Sequence, residues 1–146
     1  MNKQIFIFIA ILISFSSCND TVFSDRKNFD DYIWDKNNKA SFNFEIKEKS
    51  HYRITLTLRY IVGYPYRNIN MNFAVNGKIY PLQVNIIDEN NQYTGEIMGD
   101  LADKEIVVVQ DTILPKGNYK ITISQSMTNK LPFVDDVGVE ITRNSE

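Results

Sequence analysis

Side chains that do chemistry are scarce in this chain. Its 146 residues hold one cysteine, one histidine and one tryptophan. A lone cysteine excludes any disulfide within the chain. The only histidine, His51, follows Lys49-Ser50 at the start of an alternating segment, where a solvated or capping residue is expected. As a catalytic base it would need a Ser and an orienting carboxylate, and no motif supplies them. Neither sign of charge clusters along the sequence enough to suggest a nucleic-acid surface or a polybasic membrane contact. No segment carries a sustained helical stripe, and there is no internal repeat or low-complexity stretch. Long apolar runs are missing too, with one exception at the amino terminus.

That exception is residues 5–13, preceded by Lys3 and followed by residues 14–17, small or polar apart from Phe15. Charge, short apolar run and small residues together read as a secretory signal over residues 1–17. The run is shorter than the roughly 20 residues that span a bilayer, so a permanent membrane helix is the weaker reading. Phe15-Ser16-Ser17-Cys18 resembles a bacterial lipobox, in which the cysteine sulfur receives a diacylglycerol before cleavage on its amino side. A free exported thiol is a redox liability, whereas acylation uses the residue. Two or three acyl chains on Cys18, each buried CH₂ contributing about 0.8 kcal/mol, would make membrane attachment effectively permanent.

Cleavage before Cys18 leaves 129 residues, the size of one domain, and losing Lys3 takes the net charge from −2 to −3. The whole chain is 43% hydrophobic and 12% aromatic, more than a disordered chain carries, so this part is expected to fold without disulfides or metals. Residues 18–28 are polar and read as a tether, with a single β domain over 29–146. Trp34 is expected to dock on the core as part of a first, irregular strand at 29–34.

From Ser41 onward the apolar period is two. Between 52 and 62 every even position is apolar or aromatic and most odd positions are polar, which predicts a long half-buried strand. Similar alternation recurs over 42–46, 69–75, 80–86, 119–123 and 137–141, while 106–109 is continuously apolar and suits a central strand. Asn76-Gly77 predicts a hairpin, because both residues tolerate positive φ. Turns are also expected at 88–91, 115–118 and 130–132. The fold class is therefore all-β: an antiparallel two-sheet sandwich of seven to nine strands, jelly-roll or immunoglobulin-like.

Candidate sites are few. Adjacent acids at Asp30-Asp31, Asp88-Glu89 and Asp135-Asp136 read as solvated turn residues, or as oxygen ligands for calcium, with no EF-hand spacing. A glycosidase would need two carboxyl groups about 5 to 10 Å apart across a cleft, which sequence does not establish. No cofactor is expected. The loop Gly63-Tyr64-Pro65-Tyr66-Arg67-Asn68 is more distinctive, since Pro65 fixes φ and pushes Tyr64 towards an extended conformation. With Arg59, residues Tyr64, Pro65, Tyr66, Arg67 and Asn68 form a candidate contact surface, Tyr and Arg being favoured at interfaces. The competing reading is a sandwich end capped by two tyrosines.

Several pieces of the sequence, taken in order, resemble the GldH gliding-motility lipoproteins of Bacteroidetes-type bacteria. They are the signal ending at Cys18, Leu58-Arg59, Tyr64-Pro65-Tyr66-Arg67-Asn68-Ile69, Leu101-Ala102-Asp103, Gly117-Asn118-Tyr119, Gln125-Ser126-Met127, Leu131 and Asp136-Val137-Gly138-Val139. The resemblance implies a non-catalytic envelope lipoprotein, its partners being other gliding or type IX secretion proteins. The expected place is the outer membrane on its periplasmic side, because no strongly charged run follows Cys18. A carbohydrate-binding module on an envelope lipoprotein is the alternative.

Overall fold

The strand with the clearest alternation organises the molecule. In the computed structural model, which describes residues 20–145, β4 (Ser50–Ile61) buries Tyr52, Ile54, Leu56, Leu58 and Tyr60 on one face. The expected leader 1–17 and the lipidation site Cys18 lie outside the described residues. Burying a large apolar side chain contributes roughly 2 kcal/mol, so a one-residue register slip that turned this row to water is strongly disfavoured.

The other strands are β1 (Thr21–Asn28), β2 (Ile33–Asp35), β3 (Ala40–Ile46), β5 (Asn68–Val75), β6 (Lys78–Asn85), β7 (Glu96–Met98), β8 (Leu101–Leu114), β9 (Gly117–Gln125), β10 (Lys130–Pro132) and β11 (Val134–Arg143). They form one sheet in the order β1-β11-β4-β8-β7 and a second in the order β3-β9-β5-β6, with β10 and β2 as a small ribbon. Every pairing is antiparallel. Inward rows of the two sheets meet in one core, with Phe42, Ile121, Ile123, Ile69, Met71 and Phe73 on the second sheet. The fold is an antiparallel two-sheet β-sandwich. Among the described residues eight strands are seven residues or longer, and the other three are short additions.

The hairpin at Asn76-Gly77 forms as the turn chemistry predicts, with φ of 46° and 86° and Val75 paired to Lys78. Trp34 is fully buried, stacks on Phe29 at 4.8 Å and donates its indole N–H to the Asn38 carbonyl at 2.8 Å.

Three expectations need correction. Residues 21–28 are not a tether. They are strand β1, paired along its length with β11, because the polar side chains of an edge strand need no second apolar face. Residues 130–132 are strand β10 rather than a turn. The reversal falls just before, where Gln125 Oε1 accepts from the Met127 and Thr128 amides. The apolar run 106–109 does not mark a central strand: β7 pairs only with 101–103 of β8, and Val107 is 47% exposed. Alternation fails there because β8 is bulged. Ile106 faces Leu56, Val107 faces Thr55 and Val109 faces Ile54, so Val108 is an extra residue, and a second shift follows opposite 52–54.

Candidate functional site

β4 ends at one pole of the sandwich, where the chain turns through Gly63 (φ 108°) into the proline loop. The structure separates the loop into a fixing part and an offered part. Tyr64, expected among the contact residues, is only 1% exposed. Its ring lies edge-on between Tyr60 and Tyr66, with centroids 6.2 and 5.7 Å away, and its hydroxyl donates to the Asn68 carbonyl at 3.2 Å. Burial pushes this phenol well above its ordinary pKa, so it stays protonated as a donor. A partner cannot reach it without opening the core.

Arg67 is committed within the fold as well. Its Nη1 donates to Asn91 Oδ1 at 2.9 Å and Nη2 to the Asp88 carbonyl at 2.8 Å, while its own carbonyl accepts from the Ile86 and Ile87 amides. The acidic turn it grips is organised by Asp88 Oδ1, which accepts from the Asn90 and Gln92 amides. Asn68 opens β5 opposite Asn85. Pro65, Tyr66 and Arg67 are exposed in the loop, Tyr66 at 42%, and of these Arg67 is tied down by its hydrogen bonds, so Pro65 and Tyr66 are the side chains left to offer.

Arg59 points to the outer face of the five-stranded sheet. It makes a two-pronged contact with Asp103, Nε to Oδ1 at 2.8 Å and Nη2 to Oδ2 at 2.9 Å. Arg26 of β1 joins from the side, 2.8 Å from Asp136 Oδ1 and 3.4 Å from Asp103 Oδ1. Hydrogen bonding from Arg59 holds the Asp103 carboxyl below its usual range. Asp136 goes the other way: burial raises its pKa, against the pull of the two arginines. Gly138 makes room for this clasp, since a Cβ there would collide with Thr57 Oγ1 and lie 2.7 Å from Arg26 Cγ.

Beside the loop lies a feature that alternation does not reveal. Asp31, Tyr32, Ile33, Ile61, Pro132 and Phe133 line a hollow of about 240 Å³. Tyr32, Ile33 and Phe133 are all exposed there. Asp31, Tyr32 and Phe133 have φ of 53°, 57° and 65°, a region that costs a non-glycine residue about 1 to 3 kcal/mol. Asn76 and Asn91, the other described non-glycine residues with positive φ, are turn asparagines that adopt it easily. Surrounding structure enforces the strain: the Phe133 carbonyl accepts from the Ile61 amide at 3.0 Å, and the Phe29 amide donates to the Asp135 carbonyl at 2.9 Å. Phe133 also sits against the turn, 3.7 Å from where a Gly63 side chain would begin. Sequence reasoning missed this hollow because its residues come from three separate segments, and nothing in Phe133 or Tyr32 announces a positive φ.

Elsewhere the chemistry is sparse. His51 Nδ1 lies 3.0 Å from Asp111 Oδ2, and among the described residues no hydroxyl is hydrogen-bonded to its ring. Among the described residues no group of three His, Cys, Asp or Glu side chains could hold a metal ion.

The GldH lipoprotein family matches residues 21–141 of this chain. No curated protein matches it. Among solved structures, a ruminal GH26 endo-beta-1,4-mannanase is similar at 17% identity and a TM-score of 0.48, over 79% of this chain and only 19% of the enzyme. The family 35 carbohydrate-binding module of Cellvibrio japonicus Abf62 is 23% identical with a TM-score of 0.41, over 76% and 75% of the two chains. Dimeric latent PorU from Porphyromonas gingivalis is 13% identical with a TM-score of 0.39, over 86% of this chain and 13% of PorU.

Proposed function

The chain belongs to the GldH lipoprotein family, and from that membership we propose that it is a lipid-anchored, non-catalytic protein of the cell envelope that holds partner proteins of the gliding-motility machinery. Acylated Cys18 supplies the membrane attachment, at the outer membrane and on its periplasmic side, and the partners include proteins tied to type IX secretion. The observation that carries the scaffolding role is the pole where Tyr32, Ile33 and Phe133 stand exposed around one hollow, two of them in strained backbone, with Tyr66 exposed on the proline loop that follows β4. Strain kept at a surface does nothing for folding, and exposed aromatic side chains favour protein contacts. Arg59 and Arg67 serve this surface by fixing β4 and the proline loop, and Pro65 and Tyr66 are the loop residues it offers.

Affinity capture from envelope membranes tests this reading with wild-type protein, Tyr66→Ala and Phe133→Asn. A folded variant that loses captured envelope proteins supports it. An unchanged partner set in both variants removes this pole from consideration. Deletion of the gene, followed by spreading, adhesin-transport and secretion assays, tests the gliding and type IX assignments separately. The exposed rings also admit sugar stacking, which makes a carbohydrate-binding module the second reading. A glycan titration without saturable binding ends it.

A further inference from the structure

The start of β1 fixes where the membrane must lie. The Asp20 carbonyl accepts the Arg143 amide at 2.8 Å, and Thr21 pairs with Thr142, so the chain is held to the sheet from Asp20 onward. Only Asn19 separates this point from Cys18. Two residue steps reach at most about 7 Å, which leaves no room for a spacer. An anchor on Cys18 therefore draws one particular pole of the sandwich to the bilayer, the pole opposite the proline loop, because β4 starts there beside Thr142 and Arg143 and ends at Ile61.

The chemistry of that pole suits the position. The β3–β4 connection presents Lys47 and Lys49, and the β8–β9 turn presents Lys116, all exposed. Val22 and Ile113, also exposed, add apolar side chains beside them. A hollow of about 240 Å³ opens between Val22, Ile46, Lys47, Tyr52 and Arg143, with Glu45 on its wall. Two of the local acids are engaged, Glu48 accepting from Arg143 at 3.0 Å and Asp111 lying beside His51 and accepting from Asn144, while Glu45 stands exposed on the wall of the hollow. The far pole is mixed, with exposed Asp30, Asp31, Glu89, Glu96 and Asp100 beside exposed Lys36, Lys39, Arg67 and Lys130.

We propose that this basic pole rests on the membrane surface and takes anionic phospholipid headgroups as its partner, through Lys47, Lys49 and Lys116, with Val22 and Ile113 at the level of the glycerol backbone. The proposal rests on acylation of Cys18. It gives the protein a fixed upright orientation, with the aromatic pole carried the length of β4, about 35 Å, away from the lipid. The sequence hides this patch because its lysines come from two connections nearly seventy positions apart in the chain.

The test uses the full acylated chain in vesicles of phosphatidylethanolamine with and without phosphatidylglycerol. Nitroxide labels are placed on Lys116→Cys or Tyr66→Cys and relaxed by a nickel-chelating lipid. Relaxation at position 116 several-fold stronger than at 66, increased by phosphatidylglycerol and reduced by Lys47→Glu with Lys49→Glu, supports the proposal. Equal relaxation at the two positions in protein that mass spectrometry shows to be acylated overturns the orientation alone. Insensitivity to phosphatidylglycerol and to the charge reversals overturns the headgroup contact. An amino-terminal peptide with unmodified Cys18 overturns the anchor, and this inference with it.

Discussion

Phe133 is a side chain of the wrong type for its backbone, and that mismatch can be measured. Asn occupies φ near 65° with little cost, so Phe133→Asn relieves strain while removing an exposed ring. Urea unfolding is expected to show stability unchanged or higher by up to about 1 kcal/mol, while capture of envelope partners falls. A variant clearly less stable than wild type would show that the ring serves packing. The ionic clasp gives two outcomes of opposite sign. The Asp103 carboxyl is depressed in the fold, so its stabilisation is present above its unfolded value of about 4 and is lost as pH falls through the folded value. Asp103→Asn should therefore cost about 1 to 2 kcal/mol at pH 7, a loss that shrinks in acid. The Asp136 carboxyl is raised in the fold, so its ionised form weighs against folding and proton uptake favours the fold as pH drops towards the unfolded value. Asp136→Asn keeps an acceptor for Arg26 and is expected to leave stability at pH 7 equal or higher, as pH-dependent denaturation would report. Neither outcome is legible in the sequence, where both residues are acids beside apolar positions.

Among the elements, β1 shows what alternation reveals and what it does not. The rows on β4, β5, β9 and β11 were readable because each has one face in the core and one nearer water. β1 has no such rows: Phe23 is its one side chain packed on the core, and its hold comes from backbone pairing with β11 and from Arg26, which crosses Gly138 to reach Asp136. A polar tether and a polar edge strand have the same composition. Removal of residues 19–28 separates them, because loss of a tether leaves the melting temperature unchanged, whereas loss of β1 bares the flank of β11 and should lower it by many degrees. Gly138→Ala makes the same point with one methyl group. The new Cβ meets Thr57 Oγ1 and the Asp25 carbonyl, neither able to swing away as a long side chain would, so a cost of roughly 1 to 3 kcal/mol is expected in the urea midpoint. The run 106–109 misled for a related reason, since a bulge puts neighbouring residues on one face and so resembles a fully buried strand.

For the molecule as a whole, fold and anchor are expected to be separable, since the sheets and the core of the described residues are built from contacts among those residues themselves. Cys18→Ser should abolish acylation, as seen by mass spectrometry, and leave the circular dichroism melt of the domain unchanged. Spreading should nevertheless fail, because partners would no longer meet the protein at membrane concentration. A normal spreading phenotype from a soluble form would contradict the role proposed for the lipid. The two-sheet architecture was readable from period and turns, whereas the polarity of the molecule, with a lysine patch at one pole and bare aromatic rings at the other, exists only once distant turns are gathered. For a chain held in a leaflet, one further feature matters. Copies confined to a plane collide side by side far more often than copies in solution, and every open strand flank is then an invitation to zip into fibres. Over residues 105–114 the bulges of β8 bend its hydrogen-bonding row out of line, and Pro81 deletes a donor from the outer strand of the other sheet. The flanks of β8 and β6 are thereby made poor templates for a neighbour's strand, which lowers the chance of zipping when the protein is crowded in a leaflet.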